Sequence, residues 1–194
     1  MYTKRAAIAR SLAFTKRQEE IIIGSLLGDG HLARTTRGYA FRVNHGLIQR
    51  EYVDWKYREL ELFTNSQPGV YGTSYYFRTI SHPYFDDLRS VFYRESRKIV
   101  PDEFELWLTP LALAVWFMDD GTREGKQVRL NTQCFTRDEH DKLARILEAT
   151  LGIATTINRD KDRYRLRIQE ESMPRFRQLV RPHIIPSMHY KLPP

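Results

Sequence analysis

The sequence predicts an α+β protein made of two fused copies of one αββαββα unit, and three observations predict it. Two Asp-Gly pairs, Asp29-Gly30 and Asp120-Gly121, stand 91 residues apart, and each closes an apolar, helix-like run (residues 22–30 and 113–121). The segments after them match at nearly the same offset: Phe41-Arg42-Val43-Asn44 lies on Val128-Arg129-Leu130-Asn131 at 87, and Tyr76-Phe77-Arg78-Thr79-Ile80 on Tyr164-Arg165-Leu166-Arg167-Ile168 at 88. Each copy then ends on an amphipathic helix and an aliphatic-aliphatic-proline stop, Ile99-Val100-Pro101 and Ile184-Ile185-Pro186. Self-similarity at a fixed period marks a duplicated structural unit, which divides the chain into residues 1–101 and 102–194.

Along the chain, Thr15 and Gln18 have capping-box spacing and start the first motif helix, which Gly30 is expected to close in a left-handed conformation. In the strand at 41–44, Arg42 and Asn44 oppose Phe41 and Val43, and a helix-like stretch follows. A strand at 76–80 and an amphipathic helix complete the first copy. After a short junction, Thr109-Pro110 sets proline at the first position of the second motif helix, which Gly121 stops. The next strand sets Arg129, Asn131 and Gln133 against Val128, Leu130 and Thr132. Thr136 with Glu139 starts another helix, and Gly152 ends it. In the last strand Arg163, Arg165, Arg167 and Gln169 share one face, while Tyr164, Leu166 and Ile168 share the other.

Composition narrows the function classes. With 194 residues, 41% hydrophobic, and with ten Phe, eleven Tyr and three Trp, the chain has the means for one good core or two small ones and is not disordered. Trp55, Trp107 and Trp116 sit among helical apolar residues and are expected in the core. The net charge of +7 and pI near 9.6 favour a polyanion as partner, because cationic surfaces release counterions from phosphates. The single cysteine, Cys134, excludes an internal disulfide and a cysteine-rich zinc site, and it reads as a small buried filler. No apolar run approaches the ~20 residues that cross a bilayer, and no secretory leader is visible, so an intracellular protein of a bacterial cytoplasm or an organelle is expected.

Cationic strand faces occur in both copies. Arg, Asn and Gln are the side chains that pair with guanine and adenine edges, so Arg42, Asn44, Arg78, Arg129, Asn131, Gln133, Arg163, Arg165, Arg167 and Gln169 are candidate readers of duplex DNA. Arg34, Arg37, Arg123, Lys126, Arg159 and Lys161 lie in polar loops between strands and are candidates for flanking phosphates. His31 and His45 carry no zinc-ligand spacing and are expected at the surface or against DNA.

Asp29 and Asp120 carry the chemistry. A carboxylate at a helix C-terminus faces the negative end of the macrodipole, unfavourable by up to about 1 kcal/mol unless a cation is near. Two such sites suggest a shared metal.

At these motifs the chain resembles the LAGLIDADG homing endonucleases in their single-chain form, with two fused copies. The residues that carry the resemblance are the two Asp-Gly motifs, Leu108-Thr109-Pro110, Trp116-Phe117-Met118-Asp119-Asp120-Gly121, Leu130-Asn131-Thr132-Gln133 with Phe135-Thr136, and Tyr190-Lys191-Leu192-Pro193. The resemblance implies motif helices packed side by side at the centre and two antiparallel sheets forming a DNA-binding saddle. Asp29 and Asp120 would meet below that saddle, with the backbone carbonyls of Gly28 and Asp119 beside them, and hold Mg2+, or Mn2+ in its place. It also implies catalytic roles for Lys98 and Lys191. These lysines are not repeat-mates, since His183 matches Lys98, and unequal half-sites are expected. Small residues at the helix contact are present in copy one as Gly24 and Gly28, where copy two has Val115 and Asp119, so close approach is expected at those glycines with help from Ala112 or Ala114.

The function so implied is site-specific cleavage of both strands of a long, asymmetric duplex target by a monomer, leaving 3′ overhangs. The alternative is a non-cleaving nucleic-acid-binding protein of the same fold, such as an intron RNA maturase. A two-carboxylate glycoside hydrolase uses paired acids without metal, but the cationic strands argue against it. The starting Met1 and the lack of splicing residues favour an intron product over an intein.

Overall fold

A computed structural model describes residues 4–193. Helix α1 (Lys4–Ser11) precedes the first repeat, which does not anticipate it. Its Ala6 and Ala9 cover Ile80 in a small apolar cluster.

The first copy runs α2 (Lys16–Leu27), β1 (His31–Thr35), β2 (Gly38–Gly46), α3 (Arg50–Leu60), β3 (Gly69–Tyr71), β4 (Ser74–Arg78) and α4 (Pro83–Phe92), followed by a two-residue hairpin, β5 (Tyr93–Arg94) and β6 (Arg97–Lys98). The second runs α5 (Pro110–Asp120), β7 (Gly121–Glu124), β8 (Gln127–Leu130), α6 (Arg137–Leu151), β9 (Thr155–Asp160), β10 (Arg163–Ile168) and α7 (Met173–Val180). The sheets have equivalent antiparallel orders, β1-β2-β4-β3 and β7-β8-β10-β9. The αββαββα duplication is therefore the architecture.

Local signals explain the helix starts. Thr15 and Thr136 form full capping boxes with Gln18 and Glu139; the Thr109 side chain accepts from the Ala112 N–H, with Pro110 at the first helical position. The helix ends differ from expectation. Only Gly152 closes its helix in the left-handed conformation, at φ 67°. The first motif helix stops at Leu27 with Gly28 as cap, and Gly121 is extended at φ −74°. Glycine is needed at these corners for space: a Cβ on Gly121 would sit 2.1 Å from Phe117 Cδ2, and one on Gly30 2.8 Å from Phe41 and from Ser25.

Helices α2 and α5 pack against each other at the centre, and one continuous core spans both copies. Close approach rests on the expected glycines. A Cβ on Gly24 would lie 2.3 Å from the Ala112 carbonyl oxygen, and one on Gly28 2.4 Å from Asp119 Cβ. Trp116 is fully buried there, while Trp55 and Trp107 are partly buried against the same core. No helix among the described residues is long and apolar enough to cross a membrane.

Candidate active site and nucleic-acid interface

The two motif helices deliver their acids to one place. Asp29 lies just beyond α2 with its carboxylate about half exposed, and Asp120 is the last residue of α5. Burial and the nearby Asp29 and Asp119 push the Asp120 carboxyl up to about 7, against the opposing pull of Lys98 and Lys191. Asn131, expected among the base readers, donates its side-chain amide to the Asp120 carbonyl at 2.7 Å and to Thr122 Oγ1 at 2.9 Å, which fixes the end of α5.

Lys98 and Lys191 arrive by unrelated routes. Lys98, on β6, donates to the Gly28 carbonyl at 2.6 Å; Lys191, in a 3-10 turn at Pro186–Lys191, donates to the carbonyls of Met118 (2.5 Å) and Asp119 (3.0 Å). Gly28 and Asp119 are themselves repeat-mates, 91 residues apart. The two ammoniums thus take equivalent positions although their sequence positions are not equivalent. Burial lowers the pKa of both.

The residues fit a divalent metal. Two carboxylates and two carbonyl oxygens, each with a second lone pair, are hard donors. Among the described residues no group of three or more acidic, His or Cys side chains is placed to hold a metal by itself, so further ligands would come from water and phosphate, as suits a hard cation such as Mg2+.

A buried polar cluster that the sequence reading missed underlies these acids. The Asp119 carboxylate is fully buried and accepts from Lys56 Nζ and Tyr52 Oη, both at 2.7 Å. His45, expected at the surface or against DNA, is buried between the two motifs: its Nδ1 lies 3.5 Å from Asp29 Oδ2 and its Nε2 3.6 Å from Asp119 Oδ1. Burial pulls the Lys56 pKa down while Asp119 holds it up, and raises that of Tyr52. The signal was in α3, where Lys56 shares the buried stripe of Tyr52, Val53, Tyr57 and Leu60. Cys134 also departs from expectation, being exposed.

Strand register sorts the remaining candidates. In the first sheet His31, Arg42 and Arg78 are cross-strand neighbours, with Asn44 beside Tyr76, on the face opposite buried Phe41, Val43 and Phe77. Arg42 lies over the Tyr76 ring. In the second sheet Arg129 neighbours Arg167, and Arg165 neighbours Asn158, opposite Val128, Leu130 and Leu166; Arg163 and Asp160 continue that face. Gln133 donates to Asp160, and Gln169, past the end of β10, to the Thr155 carbonyl. Arg34, Arg123 and Arg159 pair in register with Tyr39, Val128 and Tyr164, in line with the opposite face. Arg37, Lys126 and Lys161 occupy exposed hairpin tips.

Residues 19–176 match the LAGLIDADG DNA endonuclease family. The chain is similar to the cytochrome b mRNA maturase bI2 of Saccharomyces cerevisiae (31% identical, 89% of this chain, 46% of the relative) and to the probable intron-encoded endonuclease 1 of Wickerhamomyces canadensis (29% identical, 92% and 84%). It spans about half the length of several curated relatives that it matches. Among solved structures it is similar to the homing endonuclease I-WcaI bound to its DNA recognition sequence, with TM-score 0.90, 26% identity and coverage of 98% of this chain and 92% of that one.

Proposed function

Because the chain belongs to the LAGLIDADG DNA endonuclease family, we propose that it is a site-specific endonuclease that hydrolyses both strands of a long, asymmetric DNA duplex with Mg2+, or Mn2+ in its place, leaving short 3′ overhangs. One observation carries this reading: two acids from separate repeats, each beside a lysine-bound carbonyl, converge beneath two sheets whose open faces are rich in arginine. Both halves of the site belong to one polypeptide, so a monomer suffices.

The carboxylates of Asp29 and Asp120, with the carbonyls of Gly28 and Asp119, would hold the metal. When bound, it polarises a scissile phosphate and lowers the pKa of a water. Lys98 and Lys191 are anchored at equivalent points and place positive charge where the phosphate becomes more negative in the transition state. Arg42, Asn44, Arg78, Arg129, Arg163, Arg165 and Arg167 meet base edges and backbone, and Arg37, Lys126 and Lys161 at the hairpin tips meet flanking phosphates.

Incubating the protein and Mg2+ with a randomised duplex library, then sequencing the cut ends, tests the proposal. Cutting at one long motif is expected, and Asp29→Asn or Asp120→Asn is expected to abolish cutting while retaining binding. A second reading, an intron RNA maturase, is favoured by the likeness to bI2. Wild-type protein that cuts no duplex yet binds the RNA of its own intron would support that reading over the first.

A further inference from the structure

The two sheets treat their arginines differently. None of the first-sheet strands β1 to β4 carries an acid, and Arg42 rests on the Tyr76 ring with its guanidinium carbon 5.1 Å from the centroid. The second sheet carries two acids, Glu124 on β7 and Asp160 on β9, and each is paired with an arginine of the same open face: Glu124 with Arg129, Asp160 with Arg165. Asp160 is tied further by the Gln133 amide at 3.1 Å, and Arg167 donates to Gln127 across the sheet.

Placing carboxylates on a surface that meets phosphates weakens binding to DNA of any sequence. Their pairing gives a compensating effect. An arginine side chain is long and flexible, and a carboxylate on one edge of its guanidinium fixes the rotamer and leaves other N–H donors of the same plane free. Those donors match the O6 and N7 acceptors of guanine. The acid also disfavours the alternative in which the arginine swings to a phosphate.

We propose that Glu124 and Asp160 are specificity determinants, which hold Arg129 and Arg165 for guanine recognition and make the half of the target under the second sheet the more stringently read. This rests on the reading of the protein as a duplex-DNA binder.

Selection of a randomised duplex library by metal-free binding, in EDTA, tests it without any cutting. Wild type, Glu124→Gln and Asp160→Asn are compared, with thermal melting of each to verify the fold. Wild type is expected to select guanine at positions in one half of its motif. Each variant is expected to bind random duplex about two- to tenfold more tightly and to lose discrimination for one of those guanines by roughly fivefold or more. A variant with tighter binding and an unchanged motif would overturn the proposal, because the acids would then act only by repulsion. Loss of a cytosine preference would also overturn it, since the carboxylate would itself be reading the cytosine amino group. If one variant does not fold, the other decides by the same criteria. A wild type that selects no motif at all defeats instead the underlying duplex-binding reading.

Discussion

Replacing Lys56 by methionine removes the cation from the most deeply enclosed ion pair of the protein. Lys56 and Asp119 are both fully buried and 2.7 Å apart, so the substitution leaves the Asp119 carboxylate with the Tyr52 hydroxyl as its hydrogen-bond donor. Breaking a buried pair by removing one partner costs about 3–5 kcal/mol. The remaining Tyr52 bond and the neighbouring His45 place the expected loss near the lower end, about 3 kcal/mol. For a chain of this size that lowers the melting temperature by roughly 6–12 °C. Adding Asp119→Asn removes the stranded charge without changing shape, and the double variant is expected to recover about 2 kcal/mol of the loss. Denaturant unfolding of wild type, both single variants and the double variant gives the coupling directly. A Lys56→Met cost below about 1 kcal/mol, or a double variant as unstable as the sum of the singles, would refute the buried-pair reasoning.

Four further outcomes follow from the same geometry. Asp120, pushed up to about 7, binds a proton in the folded state that an unfolded carboxyl, near 4, releases; the resulting stability is complete below about pH 4 and lost as pH rises through about 7. Permanently neutral Asp120→Asn is therefore expected to exceed wild type in unfolding free energy by roughly 2–4 kcal/mol at pH 8 without metal, and to equal it at pH 4; a less stable variant at pH 8 counts against this. Lys98→Met and Lys191→Met are each expected to lower kcat on the selected duplex by about 10²-fold with little change in KM, measured by single-turnover and steady-state cutting; a rise in KM alone would make them mere DNA anchors. His45 lies against Asp29, whereas its repeat-mate Thr132 bonds His140 instead, so His45→Ala is expected to slow one strand preferentially and accumulate nicked duplex. Equal slowing of both strands, read with separate end labels, would remove His45 from that role. Gly24→Ala forces a Cβ to within 2.3 Å of the Ala112 carbonyl and is expected to cost about 1–3 kcal/mol, checked by thermal melting; a neutral substitution would show that the helices slide apart freely.

What the sequence made legible was whatever is local or repeated. Capping boxes at Thr15 and Thr136, Pro110 at a helix start and alternation in the arginine-rich strands each involve residues a few positions apart, and the duplication then set the order of elements. Asp29 and Asp120 stood out because a helix terminus is a poor place for a lone carboxylate. The cluster beneath them was obscured by its long-range pairing. Lys56 meets Asp119 across 63 residues, and the cost of burying either one is hidden until both partners are placed. Helix α1 has no counterpart in the second copy, so the repeat gave no hint of it. Arg34, Arg123 and Arg159 were grouped by loop position alone, whereas hairpin register sets the face each one joins.

The union of Lys56 with Asp119 bears on how the two copies depend on each other. The residue of the first copy that corresponds to Asp119 is Gly28, so an imagined homodimer of first copies would enclose two ammonium groups, each without the carboxylate that Lys56 meets at 2.7 Å. The contact therefore makes each copy a condition for the other's buried charge.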